Sequence, residues 1–284
     1  MVGRAEVVAG SRLLVIHADD FGMSHSVNRA TIQAFENRWI TSASILVPCP
    51  WFPEVVKFAR EHPEADLGIH FALNSEWTSL RWGPVAPRDR VPSLLDADGY
   101  LPLVETQVVE RARASEVEIE LLAQVDMARR AGISITHFDA HMGTLLRSPD
   151  LFSTFLKVSR SYRMPIRVAD PPEFARGTLQ VPRWVDGLLG LDPSAPADRW
   201  LESYEKALAP LPPGSYQLTV HLGFDDEEMR GATYDHPNWG AAWRQRDFDV
   251  VRSAAFRQFL KDQRFTLVGW RNLAERRPAA AAND

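Results

Sequence analysis

The sequence predicts an α/β protein folded as a single distorted (β/α) barrel, and three observations carry that expectation. Short aliphatic or β-branched runs alternate with amphipathic stretches along nearly the whole chain, the pattern of parallel strands joined by helical crossovers. Several strand-like runs end on Asp or His and then turn, in residues 13–22, 67–73, 135–143 and 217–223. In parallel sheets and barrels those C-terminal ends are where binding and catalytic groups collect. No linker or composition shift divides the chain, so its 284 residues read as one catalytic domain, about 11–273 forming the barrel and 274–284 a flexible tail.

Taken in order, residues 13–18 are the first strand. Gly22 turns the chain into a helix over 26–37, with Ser26 as its N-cap. Residues 42–47 form a second strand, and Pro48, Pro50 and Pro53 bracket the turn before a helix over 54–61. The third strand is 67–73. Residues 74–102 show no period and hold Pro84, Pro87, Pro92 and Gly99, which marks a long active-site loop. Residues 105–131 read as one amphipathic helix closed by Gly132. A strand at 133–138, a helix at 150–162 and a strand at 165–168 follow. Irregular segments at 171–182 and 192–196 precede a helix over 200–209, a strand at 216–221, a helix over 248–263 and a last strand at 265–269.

A hydrophobic content of 45% and a charged content of 24% suit a globular domain that needs no staples. The net charge of −5 argues against nucleic-acid or anionic-membrane partners. No run approaches the ~18 apolar residues of a membrane span, and no signal-peptide pattern precedes the first strand, so a cytoplasmic protein is expected. The single cysteine, Cys49, excludes an internal disulfide and reads as a small buried hydrophobe. Among the nine tryptophans, Trp51, Trp77, Trp82, Trp239 and Trp243 lie near polar or turn residues, where flat apolar rings suit the C–H faces of sugars. The aromatics around 239–243 also mark a candidate surface for a homo-oligomer.

The chemistry concentrates at the strand ends. Asp19 and Asp20 are adjacent, and a turning backbone brings both into one cleft, one to hold a metal and the other to act as general base. The same Asp-Asp-Phe-Gly run has turn composition, with Asp as a helix N-cap. A lone histidine in an apolar strand, such as His70, is ordinarily a satisfied core residue; its company shifts the reading. His137, Asp139 and His141 fall within five residues of one another, and divalent ions take imidazole plus carboxylate with positions left open for water. Asp139 is a candidate to orient a ligating imidazole, and His137 a structural residue beneath the site. His221 ends a later strand as a candidate general acid, or equally as a buried strand-end histidine. GxGxxG, GxxxxGK[ST], HExxH and GxSxG are all absent.

The segments Ala18-Asp19-Asp20-Phe21-Gly22, Gly68-Ile69-His70-Phe71 and Thr136-His137-Phe138-Asp139-Ala140-His141, with Thr41-Ser42 and His221, closely resemble the YdjC-like carbohydrate deacetylases, over about residues 13–273. The resemblance implies a variant of the polysaccharide-deacetylase barrel and removal of N-acetyl groups from amino sugars or chitooligosaccharides, with a small carbohydrate as substrate. It implies one divalent metal, magnesium or zinc, held by Asp20, His70 and His141, with Asp19 as base and His221 as acid. Trp77, Trp82 and Asn74, in the long loop, are expected to hold the sugar. His17 stands where the family often has Asn, Met142-Gly143-Thr144 follow the second metal histidine, and Leu222-Gly223 follow His221. Two alternatives stay open: another metal hydrolase on the same barrel, an amidase or a phosphoesterase holding phosphate with Arg167, Arg244 or Arg246, and a carbohydrate-binding protein without catalysis.

Overall fold

The computed structural model describes residues 10–276. The order is β1 (Arg12–Phe21), α1 (His25–Glu36), β2 (Ser42–Ile45), α2 (Phe52–Glu61), β3 (Leu67–Phe71), α3 (Glu105–Arg111), α4 (Ala114–Arg130), β4 (Ile135–Ala140) and α5 (Pro149–Tyr162). The second half adds β5 (Gly187–Leu189), α6 (Trp200–Leu208), β6 (Gly214–Val220), α7 (Glu227–Ala232), α8 (Ala241–Arg252), α9 (Ala254–Asp262), β7 (Phe265–Leu267) and α10 (Trp270–Arg276). The strands pair in the order β4-β3-β2-β1-β6-β5, every pair parallel, with β7 beside Arg12–Leu14 of β1. The sheet curls into a half-barrel, the distorted barrel expected from the sequence.

Alternation along β1 separates two environments. Leu14, Ile16 and Ala18 pack with Val27, Ala30 and Leu121 in the main core beneath the helices. Leu13 and Val15 point the other way, into a small apolar cluster with Val185, Val268 and Trp270. Higher on that inner face come His17 and Asp19, so the interior grades from apolar to polar toward the strand C-termini. Trp270 of α10 closes the apolar end. Its ring stacks on His137 at 5.0 Å, and its N–H donates to Gln217 Oε1 at 2.8 Å. The backbone N–H of Arg271 donates to Asp66 Oδ2 at 2.7 Å. Gly68 is required here, because a Cβ would lie 2.4 Å from His137 Nε2.

Several elements differ from expectation for local reasons. Ser24, rather than Ser26, caps α1 by accepting from the Val27 N–H at 3.1 Å; the Ser26 hydroxyl donates instead to Phe224 O and Asp226 Oδ2. The helix expected over 105–131 is two helices, broken where Ala112 and Arg113 turn extended. The helix expected over 248–263 begins earlier, at Ala241, and is split by extended Ser253, whose hydroxyl caps α9. The strand expected at 165–168 is one bridge, Phe138 to Ile166. Residues 274–276 of the expected tail belong to α10, and 277–284 lie outside the described residues. Cys49 is buried, which pushes its thiol pKa well up. Among the described residues, no helix is long and apolar enough to cross a membrane.

Candidate metal centre

The end of β1 explains how neighbouring carboxylates reach one cleft. Asp20 adopts φ 66°, the left-handed region that few non-glycine residues visit, and the register with β2 shifts between Ala18 and Phe21. Strand alternation therefore fails at Asp20, and both Asp19 and Asp20 line the same cavity. Gly22 completes the turn at φ 109°; a Cβ there would lie 3.1 Å from Leu46 O.

Side chains from three strand ends meet here, two imidazoles closing on Asp20 Oδ1. His70 Nε2 lies 3.5 Å from that oxygen and His141 Nδ1 lies 3.4 Å from it. One atom from each residue falls within 4.8 Å of the other two, and all three residues are buried. Asp20 Oδ1 is itself buried with no hydrogen-bond partner among the described residues. A buried carboxylate oxygen without a hydrogen bond is costly, and a cation held between it and two imidazoles removes that cost. The donor set thus fits a divalent metal.

Charged groups fix each member of the set. Arg244 of α8 donates through Nη2 to Asp20 Oδ2 at 2.8 Å, which leaves Oδ1 free to take a cation. His70 Nδ1 is hydrogen-bonded to Asp139 Oδ1, and His141 Nε2 donates to Glu76 Oε2 at 2.8 Å. Asp19 Oδ1 accepts from Arg167 Nη1, while Arg167 Nε lies 3.3 Å from Asp139 Oδ2. Burial alone would raise the Asp19 carboxyl, but Arg167, then His70 and His17, outweigh it and hold the group well below the usual carboxylate range. For His141, burial works against the imidazolium; Glu76 and Asp20 prevail and push its pKa up to about 10. His221 goes the other way. Burial outweighs the pull of Asp20 and Asp19 and takes its pKa down to about 4, so the ring is neutral near neutrality.

His221 Nε2 lies 3.8 Å from Asp19 Oδ2, its ring tilted on Trp243 at 4.6 Å, and its backbone N–H donates to Asp247 Oδ2 of α8 at 2.8 Å. His17 lies below, between Ser42 and Ser44 of β2 and the carboxylates Asp19 and Asp139. His137 is lower still, its Nδ1 2.9 Å from Thr136 Oγ1.

Above the centre opens a cavity of about 510 Å³ whose wall includes Trp77, Trp239, Trp243, Val104 and Met142. Here two expectations need correcting. Trp82 is 2% exposed, spends its N–H on the Asn74 carbonyl and does not reach the cavity wall. Asn74 is fully buried, its Oδ1 accepting from Thr144 Oγ1 at 2.7 Å, and is a strut of the loop and no sugar contact. Trp77 is on the wall but nearly covered, edge-on to His236. The exposed aromatic face belongs to Trp239, 44% accessible and set edge-on to buried Trp243. Those two rings therefore line the cavity. Arg167 and Arg244, the cations expected to hold a phosphate, are each committed to a carboxylate, and Arg246 lies over the Trp200 ring.

Sequence reasoning also missed Glu76 as a partner of the site. Its signal was its place two residues after Asn74, in a loop leaving the strand that carries His70.

The family model described as YdjC-like protein matches residues 13–262. The chain belongs to the YdjC-like family. A carbohydrate deacetylase of Thermus thermophilus is 31% identical over 283 residues, spanning 94% of this chain and 96% of that protein. A carbohydrate deacetylase of Thermoanaerobacter pseudethanolicus is 23% identical over 261 residues, spanning 91% and 98%. A solved structure from Enterococcus faecalis, 22% identical, superposes on this YdjC-like chain with a TM-score of 0.76 over 93% of it and 99% of the other chain, which shows a common fold.

Proposed function

We propose that this YdjC-like protein is a divalent-metal-dependent hydrolase that removes N-acetyl groups from amino sugars or their short oligomers. The observation that carries this reading is the convergence of Asp20, His70 and His141 on one buried point, beside the ionised carboxylate of Asp19, under a cavity with an aromatic wall. The substrate class rests on the name its relatives bear, carbohydrate deacetylase. The same reading takes a small carbohydrate as substrate and the cytoplasm as the place of work.

A cation bound by Asp20, His70 and His141 supplies Lewis acidity toward the acetyl carbonyl and a lowered pKa for water. Two imidazoles favour zinc over magnesium. Asp19 accepts a proton from the attacking water. His221, neutral at rest and 3.8 Å from Asp19, receives that proton and delivers it to the nitrogen as the C–N bond breaks, releasing acetate and a free amine. Arg167 keeps Asp19 ionised and aimed, and Arg244 keeps Asp20 from turning. Purified protein should release acetate from N-acetylated amino sugars, lose that activity to a chelator and regain it with zinc. Undiminished release after exhaustive chelation would sink the metal-dependent reading.

Trp239 takes over the stacking role expected of Trp82. An aromatic contact of this kind contributes about 1 kcal/mol, so Trp239→Ala should raise KM roughly fivefold with kcat little changed. An unaltered KM on every amino sugar that is turned over would remove Trp239 from the binding surface.

A further inference from the structure

His141 has two ring nitrogens and the structure uses them differently. Nδ1 lies 3.4 Å from Asp20 Oδ1, whereas Nε2 donates to Glu76 Oε2 at 2.8 Å. A carboxylate on the far nitrogen of an imidazole fixes its tautomer and orientation and makes the near nitrogen a better donor to a metal. His70 follows the same logic with the ring atoms exchanged: Nδ1 holds Asp139 and Nε2 is left toward Asp20.

We propose that Glu76 is a positioning residue, committing His141 to bind metal through Nδ1 and tying the metal centre to the loop over residues 74–102. This rests on the metal reading above. The turn that carries His141 is not held by regular helical geometry, since Met142 and Gly143 sit at φ 51° and 66°. Side-chain bonds to the loop hold it instead. Thr144 Oγ1 donates to Asn74 Oδ1, and His141 Nε2 donates to Glu76, so two bonds three residues apart join the ligand's turn to the start of the loop. Farther along, the Thr78 N–H donates to Asp235 Oδ2, and the Ser79 hydroxyl to Gly231 O. Those acceptors lie in α7 and the turn after it, shortly before Trp239. Glu76 lies on the cavity wall with its side chain 13% exposed, where loop, ligand and sugar-facing wall meet.

The test is zinc affinity, measured on metal-stripped wild type, Glu76→Ala and Glu76→Gln by competition with a chromogenic chelator, beside circular dichroism. Glu76→Ala should bind zinc about 10–100-fold more weakly. Glu76→Gln, whose carbonyl still accepts from Nε2 but lacks the charge, should fall between it and wild type. At saturating zinc, KM for the N-acetylated sugar should stay near the wild-type value. Wild-type zinc affinity in Glu76→Ala overturns the assignment, as does unchanged affinity with a raised KM, the mark of a substrate contact. Where the alanine variant does not fold, Glu76→Gln decides by the same criterion. A wild type that binds no zinc overturns the metal reading and this inference together. One that binds zinc but releases no acetate overturns only the deacetylase reading, and the affinities still judge Glu76.

Discussion

Replacing His141 by alanine is expected to strip zinc from the purified protein and cut acetate release on the order of a thousandfold or more. The size follows from the chemistry. A bound cation contributes several kcal/mol of charge stabilisation in the transition state, and about 4 kcal/mol converts to roughly 10³ in rate. The loss should be large because His141 has no neighbour able to replace it. His70 already occupies its own corner with Nδ1 held by Asp139, and Glu76 would be left a part-buried carboxylate without its donor. In wild type, the proton that Glu76 and Asp20 stabilise on His141, with a pKa of about 10, has to leave as a cation enters, so metal binding should release protons and strengthen as pH rises. Elemental analysis together with acetate release decides the matter. A His141→Ala protein with full metal content and rate would mean that the ion, if any, sits elsewhere.

Asp19→Asn should give the second-largest loss, with a different signature. The amide cannot accept the water proton, which costs about 10²–10⁴ in kcat for a lost general base. The metal set of Asp20, His70 and His141 is intact, and Arg167 can still donate to the remaining side-chain oxygen. Metal content should therefore stay near wild type while turnover collapses. Because Arg167, His70 and His17 overcome the effect of burial and hold Asp19 far below the ordinary carboxylate range, the wild-type enzyme should not lose rate through Asp19 in mildly acidic solution. Asp19→Asn with near-normal kcat at full metal loading would assign the base to another group.

The groups on strand ends were legible because the same backbone event, an aliphatic run followed by a turn, recurs in sequence beside each of them. Asp19, Asp20, His70 and His141 could be read that way, and the structure brings them together. Trp239 was one of five candidate sugar-stacking rings and Arg244 a candidate phosphate cation, but neither could be placed beside these groups from the sequence. They lie on α8 and the turn before it, and only the closing of the chain around β6 brings them to the cavity. Trp77 and Trp82 are indistinguishable as letters; one meets the cavity wall and the other turns its N–H to Asn74, a difference set by the path of a loop without periodicity. The helix break at Ala112 and Arg113 had no Gly or Pro to announce it. Three-residue β5 was too short to show any alternation.

Trp270 and Arg271 complete the inner face from below, through His137, Gln217 and Asp66. Asp66 in turn accepts from Ser42, which holds His17 against Asp19. The matched family segment stops at residue 262, yet the hydrogen bonds that steady Asp19 reach past it into α10. A truncation just before Trp270 would therefore strike the chemistry from the opposite end of the barrel.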